Sequence, residues 1–135
     1  MKLHLGLAPS FSLELFSWRA TAPVKGRGNV EAHWSGSQGP EERQRERWVH
    51  PFDEERVRSI LVVLERLPER CGPGMDDAGE QRIAVEDAGV QIVRVRVCSG
   101  WRPDEATRAF DALWRELYEP VERCLVELGV PRALL

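Results

Sequence analysis

Lysine and tyrosine are almost missing from this 135-residue chain: only Lys2 and Lys25 stand among 19 basic residues, and there is a single tyrosine. Cysteine is sparse and odd in number (Cys71, Cys98 and Cys124), with no CxxC pair. That pattern argues against a disulfide framework or a zinc site and predicts reduced thiols. Long apolar runs are missing too. The longest, Ile60 to Leu64, has five residues, far short of the roughly 20 that a membrane-spanning helix needs. The segment from Met1 to Ala8 has a leader-like outline, but His4, Ser10, Ser12 and Glu14 interrupt it; a cytoplasmic protein is the expectation.

Excess charge of one sign is also lacking. The 19 basic residues meet 22 acidic ones for a net charge of -3, which disfavours a basic nucleic-acid binder. With 42% apolar and 30% charged residues, the composition is that of an ordinary globular protein. The length suits one domain, residues 1–135, with a core large enough to fold unaided.

Catalytic and ligand motifs are scarce. No P-loop, dinucleotide fingerprint or GxSxG elbow occurs. Lys25-Gly26-Arg27-Gly28 reads as a basic hairpin loop. Asp76-Asp77-Ala78-Gly79-Glu80 gathers carboxylates without calcium-loop spacing and reads as a solvated acidic loop. Cys98-Ser99-Gly100 falls at an expected strand end, a good position for a nucleophile. None of His4, His33 or His50 is locally spaced to activate it, so an inert cysteine is expected. The sequence assigns no catalytic residue, no metal ligand and no cofactor.

What the chain does have is arginine and tryptophan. Nearly all its cations are arginine, a usage typical of GC-rich bacterial genomes and, physically, suited to bidentate recognition of carboxylate or phosphate. Five tryptophans, Trp18, Trp34, Trp48, Trp101 and Trp114, must divide between core and interface, since this residue is enriched at binding hot spots.

Periodicity supplies the elements. Phe11 to Trp18 and Asn29 to Trp34 alternate as strands of a first hairpin. Residues 35–47 have no apolar face and read as a solvated linker. Asp53, Glu54 and Glu55 open a helix whose stripe is Val57, Ile60, Leu61, Leu64 and Leu67, with Pro68 as its stop. Residues 69–80 read as a loop. Arg82 to Glu86 and Val90 to Val97 form a second hairpin around Asp87-Ala88-Gly89, taken as a three-residue loop. A second helix runs from about Pro103 to Leu128, ended by Gly129, with a kink or break expected near Pro120. The predicted fold is α+β: a β-β-α-β-β-α order, a mainly antiparallel sheet and two helices on one face, a two-layer sandwich.

The three-residue loop pairs Ile83 with Val93 and sends Ile83, Val85, Val93, Val95 and Val97 to the core. Arg82, Arg94 and Arg96 then share the opposite face, Arg82 directly across from Arg94. Like charges so opposed need a negative partner: Glu14 or Glu31 from the first hairpin, or an acidic surface on another protein. Candidate partner-binding residues are therefore Arg82, Arg94 and Arg96 with the loop tryptophans Trp48 and Trp101. Trp48 has a second reading, as a staple seating the first helix.

In size, acidity and layout the chain resembles small bacterial accessory proteins, immunity proteins among them, a likeness of genre carried by no particular residue. The leading expectation is a non-enzymatic module that binds a protein partner. The alternatives are a small enzyme or ligand-binding protein whose site is assembled only in three dimensions, and a homo-oligomeric structural component.

Overall fold

The computed structural model describes residues 1–8, 16–36, 39–72, 79–97 and 104–135. Seven strands form one sheet: β1 (Lys2–Ala8), β2 (Phe16–Pro23), β3 (Gly28–Gly36), β4 (Gly39–Trp48), β5 (Arg70–Cys71), β6 (Glu80–Asp87) and β7 (Val90–Val97). Two helices, α1 (Glu54–Arg66) and α2 (Glu105–Glu127), complete the α+β fold. The spatial order is β4-β3-β2-β1-β6-β7-β5, antiparallel throughout except for the short parallel pair β5–β7. The chain order is thus four strands, a helix, three strands and a helix, not β-β-α-β-β-α.

Two strands account for most of that difference. β1 has the alternation Leu3, Leu5, Leu7, with Leu3 and Leu5 buried, and its leader-like outline belongs to the sheet's central strand. β4 occupies the supposed linker 35–47. It is an edge strand, where charged side chains discourage pairing with other chains, so it carries no apolar alternation. Its Arg43 instead lies over the ring of Trp34, 5.7 Å from the ring centroid, with the arginine stem serving as apolar cover.

α1 forms where its stripe predicts. Asp53 is its N-cap, the carboxylate accepting from Arg56 N–H at 2.7 Å, and Val57, Ile60 and Leu64 are fully buried. α2 is one unbroken 23-residue helix with Pro120 inside it, so the expected break does not occur. Its N-cap, Asp104, accepts from Thr107 N–H at 2.8 Å. Phe110, Trp114 and Tyr118 recur every four residues on one face. Trp114 stacks with Phe110 and with Tyr118, and both Trp114 and Tyr118 lie 5.6 Å from Trp18 of β2.

The second hairpin has a different register from the one predicted. Asp87 pairs with Val90 and Ile83 with Arg94, closing a two-residue turn. Ala88 and Gly89 both adopt positive φ, 51° and 81°, as a type I′ turn requires. A one-residue change of register exchanges the faces of a whole strand. Ile83 and Val85 are buried as expected and Val97 is buried too, but Val93 and Val95 are half-buried and point away from the helices. Arg94 and Arg96 point toward them. Because these alternate residues share a face, and one meets α1 while the other meets α2 (below), both helices lie on the same side of the sheet.

Candidate binding face

Of the five expected partner-binding residues, the four that are described, Arg82, Arg94, Arg96 and Trp48, are not brought together. Arg94 is a structural fixture. Its Nε donates to the carbonyls of Leu64 and Leu67 at 2.8 Å each, and Nη1 donates to Val93 O at 2.9 Å. These contacts cap the C-terminal end of α1, whose last carbonyls have no partner within the helix and carry the negative end of its dipole. Arg96 pairs with Asp111 of α2, Nε to Oδ1 at 2.5 Å. Neither arginine is on the exposed face, and the proposed opposition of Arg82 to Arg94 is replaced by Arg82 opposite Val95.

Trp48 is buried, 5% exposed, and does not stand out from the surface. One extra residue on β4 shifts the pairing from Val30–Arg45 to Gly28–Trp48, which turns Trp48 rather than Arg47 inward. The indole packs edge-on to Phe52 and beside His50. A Cβ at Gly28 would meet the indole at 3.0 Å and the Thr21 carbonyl at 2.3 Å, so this position has room only for glycine. Trp101 and Cys98 lie outside the described residues, as do Glu14, Asp76 and Asp77.

Of the four described, Arg82 alone stands on the helix-free face. Strand alternation puts His4 and Gly6 of β1, Arg19 and Thr21 of β2, Asn29, Glu31 and His33 of β3, and Arg82 of β6 on that side. An open trough of about 680 Å³ runs over them, and no other described element covers it. Register aligns one row across four strands: Glu31, Arg19, Gly6, Arg82. Gly6 thus adds no side chain between the two arginines; it is buried, with Arg19 Cγ 3.8 Å from where its Cβ would stand. Glu31, expected as a counter-charge, sits on this face and holds Arg19 Nη2 at 2.5 Å. Arg82 reaches Glu80 only at 3.9 Å, while Arg70 holds the same carboxylate at 2.8 Å.

The three histidines are far apart in role. His4 meets Glu86 Oε2 at 2.9 Å and Thr21 Oγ1 at 3.3 Å, and this hydrogen bond is the main cause that holds the Glu86 carboxyl below its ordinary pKa. His33 lies 3.8 Å from Glu42, and His50 Nδ1 accepts from Phe52 N–H. Cys71 and Cys124 are free, buried thiols. Desolvation pushes both above the usual thiol range, which disfavours the reactive thiolate. Among the described residues, no cluster of three or more His, Cys, Asp or Glu is arranged to hold a metal ion.

A second hollow, about 500 Å³, lies between the end of β6 and α2, beside Gln81, Tyr118 and the Arg96–Asp111 pair. Gln81 Oε1 is buried there without a hydrogen-bond partner among the described residues. The phenol of Tyr118, buried and near Glu122, has its pKa pushed up to about 12. Sequence reasoning missed Arg19 and Gly6 altogether. The signal that would have found Gly6 was the alternation of Met1 to Ala8, which places it on the face opposite Leu3, Leu5 and Leu7. No helix among the described residues is long and apolar enough to cross a membrane. The chain matches no known protein-family model and no curated protein.

Proposed function

We propose that this protein is a non-enzymatic binding module that engages a protein partner through the helix-free face of its sheet. The observation that carries the reading is the polarity of that face. Arg19 and Arg82 stand out from it with side chains 78% and 58% exposed, while the carboxylates that accompany them, Glu31 and Glu80, are recessed at 20% and 25%. Along the row through Arg19 and Arg82 a partner therefore meets guanidinium groups before carboxylates, although the chain as a whole carries a net charge of -3 and Glu42, beside His33 on the same face, is 70% exposed. Charge so placed guides association and selects complementary surfaces. A bacterial accessory or immunity protein acting by occlusion is the form of this reading that agrees with the arginine-rich composition.

Site-specific photo-crosslinking in cells tests it. A photoreactive residue at Thr21, His33 or Gln91, all lining the trough, is expected to give one adduct with a different protein. The same probe at Val62 or Glu65, exposed on α1, is expected to give none. Adducts with the mass of two copies of this chain would make the face a self-association surface and overturn the reading. Adducts from the helix positions alone, or from neither set, would do the same.

A further inference from the structure

We infer that the trough takes the carboxylate of an acidic segment of the partner, held between Arg19 and Arg82 above Gly6. This rests on the reading of the helix-free face as the binding face and names the chemistry it recognises. Neighbouring strands lie about 4.8 Å apart. Arg19 and Arg82, each directly opposite Gly6 in the register, therefore rise from backbone positions about 10 Å apart. Any other residue at position 6 would put a side chain into that gap. Gly6 itself is buried, with the Arg19 stem beside it, and the arginines on either side end in guanidinium forks, a group well matched to a planar carboxylate.

The ion pairs already present leave this capacity in place. Arg19 uses Nη2 on Glu31, and a guanidinium has five N–H donors. Arg82 has a 3.9 Å contact to a carboxylate that Arg70 holds more closely. Along this row the acidic residue meets the outward guanidinium groups before the recessed Glu31 and Glu80.

The test is an NMR titration of the intact chain with three probes: a short peptide alternating Glu and Gly, its Gln-for-Glu counterpart, and inorganic phosphate. The Glu peptide is expected to shift the Gly6 amide and the Arg19 and Arg82 Nε–H signals saturably, less so as salt rises, and the Gln peptide to shift none of them. Arg82→Ala should weaken binding about tenfold or more, and Arg82→Lys should recover only part, having lost the fork. Arg58→Ala, on the exposed side of α1, should change nothing. Gly6→Val should abolish binding while the α2 amide signals keep their positions. If that variant fails to fold, the exposed Arg82 substitutions carry the test alone. Phosphate binding more tightly than the Glu peptide would overturn the carboxylate assignment. Absence of shifts, or shifts indifferent to Arg82→Ala, would overturn the cradle itself; crosslinks from Thr21 and His33 would then still leave the face a binding surface.

Discussion

Replacing Arg94 by alanine is expected to destabilise the protein without touching recognition. The side chain's Nε–H is shared between the Leu64 and Leu67 carbonyls, and Nη1 bonds Val93 O. Leu64 O also accepts from Leu67 N–H at 3.1 Å, so it keeps a partner when the arginine is lost. The remaining loss is the charge-assisted hydrogen bond to Leu67 O at the helix end, worth about 1.5–3 kcal/mol, the Nη1 bond to Val93 O and the apolar cover of the arginine stem. A destabilisation of about 2–3 kcal/mol follows, which for a chain of this size lowers Tm by roughly 6–12 °C. Urea unfolding should show it as a lower midpoint at unchanged slope. Hydrogen exchange should speed up first in the last turn of α1 and leave α2 protected. Arg94→Lys should recover part of the loss, because an ammonium still favours the negative end of the helix dipole. A loss below about 0.5 kcal/mol, the range of ordinary surface substitutions, would refute the capping role; weakened Glu-peptide binding at unchanged stability would return Arg94 to the binding face.

Trp48→Ala should cost about 3–5 kcal/mol, as deletion of a buried aromatic does, and leave acidic-peptide binding to the refolded protein unchanged; a loss under about 1 kcal/mol would remove Trp48 from the core. Tyr118 is the only tyrosine, so the rise in absorbance at 295 nm on alkaline titration reports its ionisation alone. It should ionise near pH 12 rather than about 10. Because its folded pKa is raised, its contribution to stability is fully present below about pH 10 and is lost as pH rises through 12; a midpoint near 10 in the folded protein would contradict its burial. In a Cys98→Ser background, Cys71 and Cys124 should react with Ellman's reagent only as fast as the protein opens, and rapid labelling of the native state would show that one of them is accessible. Ala88→Asn should stabilise the second hairpin by about 0.5–1 kcal/mol, since asparagine tolerates the left-handed conformation better than alanine; a destabilising effect in urea unfolding would count against the two-residue turn.

The legible parts of the fold were those where one physical signal dominated. α1 has an N-cap, an acidic first turn and an apolar stripe that all agree, and its limits follow from them. The aromatic face of α2 is equally clear, but Pro120 marked a break that the surrounding packing of Leu117, Val121 and Leu125, all fully buried, does not permit. The hairpin around Ala88 was located correctly and its register was not. Asp87-Ala88-Gly89 suits a loop with glycine alone at positive φ, and alanine in the left-handed region is a strained choice that sequence preference disfavours. That choice decided the faces. Counting valines as core residues favoured the wrong register, because the count assigned no internal role to Arg94 and Arg96. β4 was invisible for a related reason: at a sheet edge its inward positions, Arg43 and Arg45, do what apolar residues do elsewhere.

Arginine is thus the residue whose role the sequence could not assign, and the structure divides it by what each guanidinium faces. The C-terminal end of each helix is met by an arginine from the sheet: Arg94 of β7 at α1, and Arg43 of β4 at α2, where Nη1 donates to Leu128 O at 2.8 Å. α2 has no basic residue in its own last turn, so β4 supplies the positive charge its dipole favours, and Arg45 adds an ion pair to Glu127. Gly129, at φ +92°, fits the same arrangement, since a Cβ there would lie 2.5 Å from Arg43 Nη1. Arg96 is held by Asp111 and Arg70 by Glu80. Arg82 differs because its nearest carboxylate is already held by Arg70, and Arg19 because most of its fork projects into solvent. Both flank Gly6, the position in their row with no side chain. The residue that contributes nothing to hydrophobic periodicity is the one that makes a cradle of two otherwise ordinary surface arginines.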